Sequence, residues 1–249
     1  MDKLKIISLN IWGLPWPFSP SLKTRFKKIV KFLKKENPDI IFLQECWFFS
    51  HVKKLKKEFP NYYFSHYKRF LIGNQSGLVT MTKKKPLGIK FFMFPRPTTE
   101  RVDEFVSGKG ILVTEIKLNG SNIFLINTHT FSRLYHKHKE VLFNQLKILK
   151  RIIKKYPSLI FVGDLNLTEK EFSNWNENFM SYVFPKNPAL DPKNPYRKKA
   201  PLHFLEEGNT PTFIAVKTNP LITKVKTEVL DKIYLSDHQP LISEISFFR

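Results

Sequence analysis

The chain has a single cysteine, Cys46, in 249 residues, so no disulfide forms within it and a structural thiolate zinc site is excluded. No apolar run approaches the roughly 18 residues that a spanning helix requires. Residues 1–10 alternate into a strand before they could build the apolar stretch of a signal peptide, so a soluble, cytoplasmic protein is expected. Acidic residues are scarce: Asp and Glu number 21 against 42 Lys and Arg, a formal charge of +21. Such a field gathers nucleic acid or anionic membrane around a molecule. Lysines spread over the polar faces of helices give the same number with no partner at all. The hydrophobic fraction of 42% and charged fraction of 25% are those of a globular domain, which sets aside a disordered tail or a coiled coil.

What is present is one alternating series of strands and helices on a single core, 1–249, with no repeat and no linker. Strands are predicted at 4–10, 40–44, 62–67, 77–82, 87–94, 110–117, 122–128, 159–162, 212–217 and 241–246. Phe26, Ile29, Val30 and Leu33 recur at helical spacing within 24–36, and Asn37-Pro38-Asp39 stops that helix. A second basic helix covers 50–57. The longest, 137–156, turns Val141, Leu142, Gln145, Leu146, Leu149, Ile152 and Ile153 inward. Asn119-Gly120 is a hairpin turn signal. Residues 185–201, rich in Pro and Asn, read as a long surface loop.

Five segments place polar, acidic or imidazole groups directly after an apolar strand: Ser8-Leu9-Asn10, Leu43-Gln44-Glu45, Asn127-Thr128-His129, Gly163-Asp164-Leu165-Asn166 and Ser236-Asp237-His238. Strand ends opening onto loops are where a rigid scaffold presents catalytic groups. In this order and spread over the chain, the five resemble the endonuclease/exonuclease/phosphatase superfamily of metal-dependent phosphoesterases. That pattern is an Asn after the first strand, a Q-E pair after the second, T-H after a middle strand, then G-D-x-N and S-D-H.

The resemblance implies an α+β fold, a four-layer α/β/β/α sandwich of two mixed β-sheets with outer helices. It implies Mg²⁺, with Mn²⁺ as a substitute, held by Glu45, Asn10 and Asp237, oxygen donors that suit a hard cation. His238 and Asp164 would make the nucleophile from water. Asn166 and His129 would bond the non-bridging oxygens as phosphorus becomes five-coordinate. One position departs from the pattern. Where the family carries an Asp-Tyr-Ile segment whose Asp orients the imidazole, this chain has Thr212-Phe213-Ile214, leaving Asp191, Glu207 and Asp231 as candidate replacements.

Within the superfamily, Asn10-Ile11-Trp12-Gly13-Leu14-Pro15, Gln44-Glu45-Cys46-Trp47, Ser76-Gly77-Leu78 and the Lys109-Gly110 step are similar to the neutral sphingomyelinase-like branch. That branch's lysine-glycine step follows an acid, here Asp103 or Glu104. Trp12, Trp16, Phe18, Trp47, Phe48, Phe49 and Phe131 are expected at the rim of the catalytic face, with Trp12, Trp47, Phe131 and Lys109 joining His129 and Asn166 on the substrate. Aromatics beside a basic surface suit a membrane interface and equally suit stacking on bases. The expectation is a monomeric phosphodiesterase acting on a sphingomyelin-like headgroup, peripheral at a membrane. A DNA endonuclease, an inositol-phosphate phosphatase and a catalytically weak phosphate- or membrane-binding module are the alternatives.

Overall fold

A computed structural model describes residues 3–68, 73–95, 106–132, 139–177, 180–183, 189–191, 193–199, 212–217 and 222–247. Among these the order is β1 (Lys3–Asn10), α1 (Leu22–Glu36), β2 (Ile40–Gln44), α2 (Phe49–Glu58), β3 (Tyr63–Lys68), β4 (Asn74–Thr82), β5 (Pro86–Met93), β6 (Gly110–Leu118), β7 (Ser121–His129), α3 (Lys139–Ile153), β8 (Leu159–Asp164), α4 (Glu169–Asn176), β9 (Ser181–Val183), β10 (Thr212–Lys217), β11 (Ile222–Val229) and β12 (Leu241–Phe247). One sheet runs β11-β12-β1-β2-β4-β3 and the other β5-β6-β7-β8-β10-β9. β1–β2 and β7–β8 are parallel pairs. Each is joined by a crossing helix, α1 or α3, as a parallel connection requires.

The alternation of side chains builds the layers. Leu4, Ile6, Ile40 and Phe42 meet Ile116, Ile123, Leu125, Ile160 and Val162 between the sheets. The opposite faces of β1 and β2, with Ile7, Leu9, Ile41 and Leu43, pack under Phe26, Ile29 and Leu33 of α1 and Val52 and Leu55 of α2. Ile126 and Phe161 pack under Leu142, Leu146 and Leu149 of α3. This is the expected α/β/β/α sandwich. Asn37, left-handed at φ 45°, ends α1, and Pro38 follows it. Asn119 and Gly120, both at positive φ, close the β6–β7 hairpin.

Three elements exceed the sequence reading. α4 starts at a capping box, Thr168 with Glu171. β11 alternates exposed and less exposed residues from Lys224 to Val229. β9 has only three residues. Among the described residues of 185–201 the expected surface loop is in part packed inward: Ala189, Leu190, Asn194 and Arg197 are buried, Leu190 bridges His238, and Arg197–Lys199 form a turn of 3₁₀ helix. Among the described residues no helix is long and apolar enough to cross a membrane.

Candidate active site

The face of each central strand that lies between the sheets is apolar at one end and polar at the other. Along β1 it reads Leu4, Ile6, Ser8, Asn10; along β2, Ile40, Phe42, Gln44; along β7, Ile123, Leu125, Asn127, His129; along β8, Ile160, Val162, Asp164. A band of amides comes first. Gln44 Nε2 donates to Asn127 Oδ1 at 2.9 Å, and Asn127 Nδ2 donates to the carbonyls of Leu43 and Val79 at 3.1 Å. These buried amides lock the sheets together with their polar atoms satisfied.

Beyond that band lie the groups with chemistry. Register sets His129 opposite Asp164 on β7–β8 and Thr212 opposite Asp164 on β10–β8. Asp164 Oδ2 lies 3.6 Å from His238 Nε2 and 3.9 Å from His129 Nε2. Asn10 Nδ2 donates to Glu45 Oε1 at 2.8 Å and to Asp164 Oδ2 at 3.2 Å. Asn166, left-handed at φ 52°, donates its backbone N–H to Asp164 Oδ1 at 3.4 Å and its amide to Thr130 O at 3.2 Å. Asp237 Oδ1 accepts from Ser236 Oγ at 2.8 Å and from the His238 N–H at 3.1 Å. Lys109 is buried and donates to Thr130 O at 2.9 Å. The structure thus brings Asn10, Glu45, His129, Asp164, Asn166 and His238 to one end of the sandwich.

Burial and neighbouring charges set the electrostatics of the site. Burial and then the charge of Asp237 push the Glu45 carboxyl up to about 7, against the opposing pull of the Asn10 hydrogen bond, Lys109 and His238. Burial, Lys109 and His238 hold His129 well below the usual imidazole range, so it is neutral at neutral pH. Its Nε2 faces Asp164, while Nδ1 has no hydrogen-bond partner among the described residues. The donor set fits a hard divalent cation, since the charge of Asp237 raises the proton affinity of Glu45 and a cation near both would offset that repulsion. Among the described residues no group of three or more His, Cys, Asp or Glu side chains is placed to hold a metal ion; Mg²⁺ would take one or two carboxylates and keep waters.

Several expectations change. Asn10 presents its amide nitrogen to Glu45 and its oxygen to the Trp12 N–H, so it grips the acid as well as following the first strand. Trp12 and Phe131 do not stand at the rim: they are 3% and 1% exposed, and Phe131 belongs to the core under α3. Trp47, Phe48 and Phe49 are half-buried. Trp16 and Phe18 are the exposed ones, at 65% and 49%. Of the acids proposed to replace the family's Asp, Asp191 accepts from the Tyr234 hydroxyl at 2.7 Å and the Lys193 N–H at 2.8 Å, and Asp231 is on an exposed turn. Glu207, Asp103 and Glu104 lie outside the described residues.

The sequence reading missed the groups that hold these loops. Asn194 Nδ2 donates to the carbonyls of Ser236 at 2.7 Å and Asp237 at 3.2 Å. Gly13 and Gly77 back onto Glu45: a Cβ on Gly13 would lie 2.2 Å from the Glu45 carbonyl oxygen, and one on Gly77 3.0 Å from Glu45 Cα. Gly77 is also at φ +64°, a region that favours glycine.

Tyrosyl-DNA phosphodiesterase 2 of Danio rerio is 28% identical over 179 residues, which cover 70% of this chain and 44% of that protein; the chain spans less than half the length of that relative. Two solved structures share the fold over 98% of this chain and 99% of theirs. Beta toxin of Staphylococcus aureus, with bound magnesium ions, has a TM-score of 0.77 at 20% identity. Sphingomyelinase C of Streptomyces griseocarneus has a TM-score of 0.76 at 15% identity. The family model for the Endonuclease/Exonuclease/phosphatase family matches residues 7–238, all five strand-end segments included, and the chain belongs to that family.

Proposed function

We propose that this chain is a divalent-metal-dependent phosphodiesterase whose substrate is a lipid headgroup phosphodiester met at a membrane surface. The observation that carries the chemistry is Asp164, set between the Nε2 atoms of two imidazoles and the amide of Asn10. Glu45 and Asp237 would hold Mg²⁺, which supplies Lewis-acid stabilisation of the phosphoryl and leaving-group oxygens when bound. His238 accepts the proton of the attacking water at Nε2, and the Asp164 carboxylate stabilises the imidazolium that results. His129, neutral, donates from Nε2–H to a non-bridging oxygen. Asn166 contributes its second amide hydrogen. Preset donors of this kind need no reorganisation as charge develops.

Support for a lipid comes from Trp16 and Phe18, exposed on the loop that leaves Asn10, since aromatic rings settle at headgroup depth. A second reading, a nucleic acid, is favoured by α1 and α2. Lys23, Lys27, Lys31 and Lys34 are exposed along α1, and Lys53 and Lys57 along α2. Charges one helical turn apart, about 6 Å along the axis, match phosphates along a strand.

The test is Mg²⁺-dependent turnover of bis-nitrophenyl phosphate, and of sphingomyelin liposomes read as phosphocholine release. EDTA and Glu45→Ala should abolish both activities. His238→Ala should cut kcat by about 10²–10⁴, the usual contribution of a general base. Intact turnover in His238→Ala would overturn the mechanism. Nicking of supercoiled plasmid without phosphocholine release would transfer the assignment to the second reading.

A further inference from the structure

Arg25 carries a charge on α1 yet has no solvent exposure. Its guanidinium is spent entirely on loop oxygens. Nε donates to Pro20 O at 2.8 Å, Nη1 to Ile11 O at 2.9 Å and Leu235 O at 3.3 Å, and Nη2 to Trp12 O at 2.8 Å and Ser19 Oγ at 2.5 Å. That uses each of the five N–H donors of the fork. The ring of Trp12 lies against it at 5.1 Å and that of Tyr196 at 5.8 Å.

These partners belong to three separate stretches of chain, and each leads to the site. Ile11 and Trp12 follow Asn10 directly. Leu235 precedes Ser236-Asp237-His238. Tyr196 stands beside Asn194, which grips the carbonyls of Ser236 and Asp237. A buried cation with no contacting carboxylate is costly, and a core leucine on α1 would pack the helix as well. The cost is offset by carbonyl dipoles and by the acids of the site, because Asp237 and Glu45 both favour the charged guanidinium against its burial.

We infer that Arg25 is a positioning residue that fixes the loop carrying Asn10 to the turn carrying Asp237 and His238, so that the metal-holding and base-bearing halves of the site stay in register. The inference rests on the phosphodiesterase reading for its kinetic consequence and on the geometry alone for its structural one. A lysine keeps the charge but offers a compact point donor in place of a planar fork. It cannot span the same five oxygens. Displacements of about 1 Å in a reacting constellation cost on the order of 10²-fold in rate.

The experiment compares wild type with Arg25→Lys, and with the milder Ser19→Ala, which removes one acceptor and keeps the guanidinium. Two readouts are taken: steady-state hydrolysis of bis-nitrophenyl phosphate, and amide hydrogen exchange. For Arg25→Lys, kcat should fall about 10²-fold with KM unchanged. Exchange should quicken at Gly13, His238 and Gln239 while the middles of β1 and β12 keep their protection, the signature of local release and not of global destabilisation. Ser19→Ala should show the same pattern more weakly. In Arg25→Ala, added guanidinium ion should restore part of kcat where methylammonium does not. Wild-type kcat in Arg25→Lys, unchanged exchange at those three amides, or equal quickening throughout the sheets would each overturn the inference. If wild type itself turns over no diester, the phosphodiesterase reading falls, and the exchange pattern still decides whether Arg25 holds the two loops.

Discussion

Burial sets the behaviour of single residues here, as His51 illustrates. His51 is stacked on Phe26 at 4.6 Å. Burial, with Lys54 and Arg25 nearby, lowers its imidazole to about 4. The unfolded chain takes up that proton near 6.5 and the folded chain only near 4, so the unfolded state binds more protons in between. Stability is therefore lost as pH falls through that window, by up to roughly 1.4 kcal/mol per pH unit for this one group. Urea unfolding of wild type and His51→Leu at pH 7 and pH 4.5 should show a smaller acid loss in the variant. Equal losses would place the acid sensitivity elsewhere, with buried His129 the next group to test. At this scale the sequence was legible where alternation carried a polar group to a strand end, as for Asn10, His129 and Asp164. Arg25 and Asn194 were not legible. One reads as another basic residue on a lysine-rich helix, the other as part of a Pro- and Asn-rich loop, and only the fold brings their distant partners together.

Elements followed the same logic. β2 and β10 fall where alternation and apolar run length put them, and α1 stops at Asn37-Pro38 because a left-handed residue followed by proline cannot continue a helix. Two missed elements had usable signals. Thr168-x-x-Glu171 is a capping box, and Val225, Thr227 and Val229 alternate with exposed Lys224, Lys226 and Glu228. Only β9 was too short to announce itself. The box makes α4 testable, since Thr168 Oγ1 accepts from the Glu171 N–H at 3.3 Å while the Glu171 carboxylate accepts from the Thr168 N–H at 2.8 Å. Thr168→Ala should cost about 1 kcal/mol of stability. Turnover per folded molecule should be unchanged, because the helix follows Asn166 but its cap touches none of the site groups. A loss of kcat larger than the loss of folded protein would mean that α4 sets the Asn166 loop.

The whole molecule combines a charge of +21 with one exposed aromatic loop beside the site, and the two make separable demands on a membrane. Lysines act at a distance, each worth on the order of 1 kcal/mol near an anionic surface, and salt screens them. Trp16 and Phe18 act only by entering the interface, where burying a large apolar side chain is worth roughly 1.5–3 kcal/mol, and salt leaves that largely intact. α1 and α2 run back from the site along the flank of the sandwich, so a membrane touching the Trp16 loop meets only the first turns of those helices. A headgroup phosphodiesterase should therefore depend more on the loop than on the flank. Trp16→Ala with Phe18→Ala should cut phosphocholine release from liposomes by about 10-fold or more, with turnover of soluble bis-nitrophenyl phosphate unchanged. Replacing Lys27, Lys31 and Lys34 by Gln should matter less, and only at low salt. The reverse ranking, with the flank lysines dominant and the aromatic pair silent, is what a phosphate chain lying along α1 would produce, and it would favour the nucleic-acid reading over the lipid one.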